Sequence, residues 1–246
     1  MTDGFAVFAP DLGVAAWAQA ARARVPDARR DPAVPQDQLR HGRTWFVGLD
    51  ALPNDAAGAV DGVPLPGAWR TQVPDVPLHR AQVSVIYPGY PRQDVGESDA
   101  NHRFRIVRKA AHVDGLLPIG PDKRRYAKEL HAYILAIPLN ACTAAPTVVW
   151  RGSHVIMQNA LRTAIAGRDP RRVDVTEAYH AARRQVFEAC EMVPLRLHVG
   201  QVALIHRFAL HGTERWEDGV PDAQGAGRII AFFRPEGARD ADWLSA

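Results

Sequence analysis

From Gln82 onward, turn residues cut the chain into short apolar segments, and that rhythm limits the folds open to it. Gln82–Tyr87 (QVSVIY), Leu130–Leu139 (LHAYILAIPL), Thr147–Arg151 (TVVWR), Val193–Leu197 (VPLRL) and Gln201–His206 (QVALIH) are strand-length runs rich in β-branched and aromatic residues. The last such run, from Arg228 to Pro235 (RIIAFFRP), begins with an arginine, and Phe104–Ala111 (FRIVRKAA) reads as a further strand leading into His112. Pro88-Gly89-Tyr90-Pro91, Asn140–Pro146 and the Gly200 turn separate them. Many short antiparallel strands joined by turns imply a mainly β fold with flanking helices, a jelly roll or cupin-like barrel (double-stranded β-helix). Helices are expected over Asp11–Val25, capped by Asp11, over Ser153–Gly167, capped by Ser153, and over Asp174–Cys190.

A length of 246 residues suits one domain, 1–246, with 1–80 a helical and irregular N-terminal elaboration and 81–236 the jelly-roll core. Within 1–80 the expected pieces are a short strand at Thr44–Gly48 and a short helix or turn near Gly67-Ala68-Trp69. No apolar run approaches the roughly 20 residues of a membrane span, and Met1–Val14 lacks a secretory pattern, so a cytoplasmic protein is expected. Two cysteines, Cys142 and Cys190, without a CxxC, suggest neither a disulfide framework nor a thiolate zinc site. With 30 basic against 27 acidic residues and no basic run interleaved with aromatics, nucleic acid is not an expected partner. The expected partner is a small-molecule substrate, and nothing in the sequence speaks to oligomeric state.

The chemistry concentrates in His112-Val113-Asp114 and in His211-Gly212-Thr213. In extended backbone residues i and i+2 point the same way, so His112 and Asp114 can offer an imidazole nitrogen and a carboxylate oxygen to one ion. His211 supplies a second imidazole. Two His and one carboxylate with open positions is the arrangement that suits non-haem Fe(II) oxygenases. Standing alone, a His-x-Asp is more often a pair of hydrogen-bonded structural residues. Its company adds weight: a buried arginine at the head of the final apolar run is costly unless an anion meets it, and a guanidinium matches a carboxylate at two points. His154, beside a helix cap, reads as structural.

Four segments in order, His112-Val113-Asp114, Thr147–His154 (TVVWRGSH), Val199–Thr213 (VGQVALIHRFALHGT) and Arg228, resemble the phytanoyl-CoA dioxygenase-like branch of the Fe(II)/2-oxoglutarate-dependent oxygenases over roughly Val83–Pro235. The resemblance implies Fe(II) held by His112, Asp114 and His211. It further implies 2-oxoglutarate as cosubstrate with its far carboxylate on Arg228 assisted by Thr213, and O2 as oxidant. Succinate and CO2 are released as a small molecule is hydroxylated. Arg234, six residues beyond Arg228 on the same side of a strand, is the alternative clamp, and His206 is read as a supporting or structural residue. Gly200-Gln201 stands where the family usually has Gly-Asp, and the His211–Arg228 loop is longer than usual. Retention of Asp114 favours hydroxylation over halogenation. Two other readings stay open: a cupin-type metal-dependent isomerase or lyase without 2-oxoglutarate, and a non-catalytic β-sandwich module in which His112 and Asp114 bond each other.

Overall fold

Sheet strands and the helices that cover them set the architecture in the computed structural model, which describes residues 1–31, 33–222, 225–237 and 243–245. The strands are β1 (Phe5–Phe8), β2 (Leu39–Arg40), β3 (Trp45–Phe46), β4 (Gln82–Ile86), β5 (Leu116–Ile119), β6 (Arg124–Ala127), β7 (Tyr133–Pro138), β8 (Thr147–Trp150), β9 (Met192–Leu195), β10 (Val202–His206), β11 (His211–Thr213) and β12 (Arg228–Phe233). The α-helices are α1 (Leu12–Ala23), α2 (Asp99–Arg108), α3 (Ser153–Ile165) and α4 (Thr176–Ala189). A large sheet runs β1-β10-β7-β12-β4-β3-β2, a small one runs β11-β8-β9, and β5 and β6 form a separate hairpin. Every pairing between these strands is antiparallel.

Period-2 alternation sorts the central strands into two faces. On β12, Ile229, Ala231 and Phe233 join the cluster that receives Val14, Trp17, Ala18 and Ala21 of α1. Ile230 and Phe232 point the other way and pack with Val149 of β8 and Leu195 of β9. The large and small sheets therefore face each other across a shared apolar layer. The outer face of the small sheet, Val148 and Trp150, packs instead with Met157, Leu161 and Ile165 of α3 and Tyr179 and Val186 of α4. Helix α1 starts where the sequence places it, because Asp11 Oδ1 accepts from Gly13 N at 2.7 Å and Val14 N at 3.1 Å.

Several expectations are corrected. Phe104–Ala111 is not a strand: Asp99–Arg108 is helical, capped by Ser98, whose hydroxyl accepts from Asn101 N at 3.3 Å. None of its residues is buried. It is held by cation–ring contacts, Arg108 over Phe187 at 4.4 Å and Arg183 over Phe104 at 4.8 Å. Ser153 does not cap α3; Gly152, at φ 76°, does, and the Ser153 hydroxyl accepts from Leu210 N at 2.9 Å. Leu116–Ile119 and Arg124–Ala127, not among the strands expected from the sequence, pair as the β5–β6 hairpin. Residues 1–80 are more than an elaboration: β1 pairs with β10 at one edge of the large sheet and β3 with β4 toward the other. In the loop between His211 and Arg228, residues 223 and 224 lie outside the described ones.

Candidate metal centre

His112 and His211 meet backbone to backbone. His112 N donates to His211 O at 2.9 Å and His211 N to His112 O at 3.0 Å, an antiparallel bridge that puts both imidazoles on one side. Their ring centroids are 4.6 Å apart. The bridge stands on a close approach: Thr213 N donates to Lys109 O at 3.0 Å, and a Cβ on Gly212 would lie 2.2 Å from that same oxygen. Only glycine fits beneath the end of α2 there.

Asp114 then faces both rings. Its Oδ1 is 3.1 Å from His112 Nε2 and its Oδ2 is 3.4 Å from His211 Nε2. Each ring's other nitrogen is occupied: His112 Nδ1 is 2.9 Å from Ala110 O and His211 Nδ1 2.9 Å from Ala209 O. A carbonyl only accepts, so both Nδ1 atoms carry protons, and in the neutral rings both Nε2 atoms present lone pairs. Two nitrogen lone pairs thus converge on a carboxylate, with ligand atoms all within 4.8 Å of one another. Three acceptors aimed at one point call for a cation, and the two-imidazole, one-carboxylate set fits a divalent first-row metal. His211 is 6% exposed, Asp114 12% and His112 44%, so the centre opens on the His112 side.

Arg234, the alternative carboxylate clamp, is already engaged. Its Nε donates to Asp114 Oδ2 and its Nη1 to Gln82 Oε1, while its backbone N donates to His79 Nε2 at 2.7 Å. Burial pushes the Asp114 carboxyl up, but the guanidinium of Arg234 outweighs it and, with the two histidines beside it, holds the group well below the usual carboxylate range. Arg234 therefore positions Asp114, a role the sequence reading missed. The available signal was its place one residue past β12, in step with Arg228, Ile230 and Phe232.

Arg228 is different. It is 2% exposed, and its Nε, Nη1 and Nη2 have no hydrogen-bond partner among the described residues. As first residue of β12 it shares the side of Ile230 and Phe232, between the sheets, where it lines a small cavity with Cys142, Thr143, Leu195 and Leu197. Burial lowers its pKa to about 10, with Tyr90 and Cys142 opposing, which leaves a cation at neutral pH. Thr213 is half-buried and two residues past His211, so both side chains leave β11 on one side.

The remaining candidates fall elsewhere. His154 and His206 form a ring pair at 4.9 Å and neither joins the trio. His206 is pushed down to about 3 by burial and by Arg207, as suits a neutral structural imidazole. A second set, His41, Asp94 and Glu97, went unnoticed in the sequence. Its carboxylates are already engaged, Asp94 by Gly42 N at 2.7 Å and His41 Nδ1 at 3.1 Å, and Glu97 by Arg105 at 2.7 Å.

No family model matches the chain, and no curated protein matches it either. Among solved structures, AviO1 from Streptomyces viridochromogenes Tue57 is 16% identical, with 96% of this chain and 91% of that one covered and a TM-score of 0.46. SnoK, a non-heme alpha-ketoglutarate-dependent carbocyclase from nogalamycin biosynthesis, is 13% identical over 97% and 85%, with a TM-score of 0.42. EctD from S. alaskensis, solved with 2-oxoglutarate and 5-hydroxyectoine, is 15% identical over 94% and 71%, with a TM-score of 0.43. Likeness at this level carries no functional argument, which has to come from the site.

Proposed function

We propose that this chain is an Fe(II)- and 2-oxoglutarate-dependent dioxygenase on a jelly-roll fold, hydroxylating a small-molecule substrate. The observation that carries the reading is Arg228: a guanidinium 2% exposed whose three nitrogens have no partner among the described residues, in the inter-sheet layer onto which the strand of His211 also faces. An unpaired buried cation costs several kcal/mol, so its presence argues for an anion as resident partner. A metal-dependent isomerase or lyase of the same three ligands has no use for such a residue. A non-catalytic module in which His112 and Asp114 simply bond each other leaves both the converging lone pairs and Arg228 unexplained.

His112, Asp114 and His211 would hold the iron, with Ala110 O and Ala209 O fixing the ring tautomers and Arg234 holding Oδ2 of the carboxylate. Iron(II) bound there supplies O2 activation, coupled to oxidative decarboxylation of the 2-oxo acid to succinate and CO2. Arg228, with Thr213, anchors the acid's far carboxylate and so orients its 2-oxo end toward the histidines. The more exposed His112 edge leaves the substrate its approach. We also read the chain as one cytoplasmic domain without a nucleic-acid or membrane partner; no described helix is long and apolar enough to cross a membrane.

The test is anaerobic addition of Fe(II) and then 2-oxoglutarate to metal-free protein, followed by the visible charge-transfer band of the chelated 2-oxo acid. A band is expected that is absent in His211→Ala. Iron binding without a band at any 2-oxoglutarate concentration would overturn the cosubstrate and leave the isomerase or lyase reading.

A further inference from the structure

We infer that Gln82 is a positioning residue for the metal centre, acting through Arg234, and that the two together leave Asp114 a single oxygen to give the ion; this rests on the metal-binding reading above. Gln82 is 6% exposed and opens β4. It pairs with Phe232, so its side chain faces the layer between the sheets. Arg234 follows two residues after Phe232, in step with it.

Both ends of the Gln82 amide are engaged. Its Nε2 donates to Val47 O at 2.8 Å, and its Oε1 accepts from Arg234 Nη1. The reverse placement would set the amide N–H groups against the guanidinium and the amide oxygen against a carbonyl, so the observed one alone satisfies both neighbours. Arg234 is held at its backbone too, where N donates to His79 Nε2 at 2.7 Å and O accepts from His131 Nδ1 at 2.9 Å. With Nη1 fixed on Gln82, the planar fork turns Nε to Asp114 Oδ2.

The two carboxylate oxygens therefore differ. Oδ2 already accepts from a cation. Oδ1 lies 3.1 Å from His112 Nε2, whose ring carries its proton on the other nitrogen, and so meets no donor there. An ion held by one carboxylate oxygen and two imidazoles keeps three of its six octahedral positions for small molecules, whereas a carboxylate that grips with both oxygens leaves two. A methionine in place of Gln82 would fill the same apolar layer with no amide to satisfy. What it could not do is hold the fork.

The experiment loads the full chain as wild type, Gln82→Met, Arg234→Met and the double variant with Mn(II), a paramagnetic stand-in for Fe(II). Affinity is measured by isothermal titration, and the waters left on the bound ion by its relaxation of bulk water protons, which scales with their number. Gln82→Met is expected to bind Mn(II) about ten- to a hundredfold more weakly, the order seen when a ligand loses its supporting partner, and to relax water about a third less per bound ion. Arg234→Met should do the same, and the double variant should match Arg234→Met, because Gln82 then has nothing left to hold. Wild-type affinity or wild-type relaxation in Gln82→Met overturns the proposal, and so does a double variant whose loss is the two single losses combined. The Tm of the metal-free proteins is measured alongside, and if Gln82→Met does not fold, Gln82→Leu takes its place under the same criteria. Wild type that binds no Mn(II) overturns the metal-binding reading, and this inference with it.

Discussion

At the scale of single residues, the polar groups with the fewest protein partners are the ones that point to a ligand. Arg228 is the strongest case, because replacing it should move stability and binding in opposite directions. Arg228→Met removes a charge buried without a partner among the described residues, so the ligand-free protein should gain roughly 1–3 kcal/mol, visible as a higher Tm. The same variant should lose at least about a hundredfold in 2-oxoglutarate affinity, the order expected when a charged pair is broken. A variant that is less stable and binds normally would show that Arg228 meets a protein anion instead. His112, Asp114 and His211, which the structure brings together, and the buried Arg228 were all singled out in the sequence by residue type and spacing. The role of Arg234 was not: it bonds Asp114 across 120 residues.

At the scale of elements, what positions His211 is the fit of the α2 terminus onto β11. Gly212→Ala would drive a methyl to 2.2 Å from Lys109 O, so either α2 retreats or the His112–His211 bridge opens. A loss of more than about 2 kcal/mol in stability is expected, together with weakened Fe(II) binding by isothermal titration; full retention of both would show that the approach is not needed. Elements with a clear period were the readable ones: α1, α4, β4, β8 and β12 lie close to where apolar spacing puts them. Helix α2 was misread because Phe104, Ile106 and the apolar neighbours alternate as a strand would, while the helix buries no residue and so shows no 3.6-residue apolar stripe. Its ends, Ser98 and the left-handed Lys109 and Ala110, were weaker signals than that alternation. The short edge strand β1 went unread for a related reason: four residues are too few to establish a period.

At the scale of the whole molecule, buried neutral imidazoles tie stability to pH. Burial lowers His206 to about 3 and His41 to about 4. Both values lie below the roughly 6.5 of an unfolded histidine, so as pH falls under that value the unfolded chain takes up protons that the folded one refuses. Stability should therefore drop on acidification, beginning near pH 6.5 and continuing toward pH 3–4. After discounting for partial solvent access the loss should be roughly 2 kcal/mol between pH 7 and 5. Urea midpoints across that range check it, and His206→Gln should flatten the slope; an unchanged slope would assign the acid sensitivity to other groups.

The interleaving of early and late strands also fixes when the candidate metal centre can exist. β1 closes on β10, β4 closes on β12, and His112 finds its place only by bridging His211. A chain emerging from the ribosome therefore holds two of its ligands long before the third is made, and cannot complete the sheet until Phe233 has been synthesised. No ion can be captured in a finished site before that point. Ion choice is thus left to a folded protein sampling the cell's metal pools, where the strength of the grip and the abundance of each ion compete, and where the order in which ions were met leaves no memory.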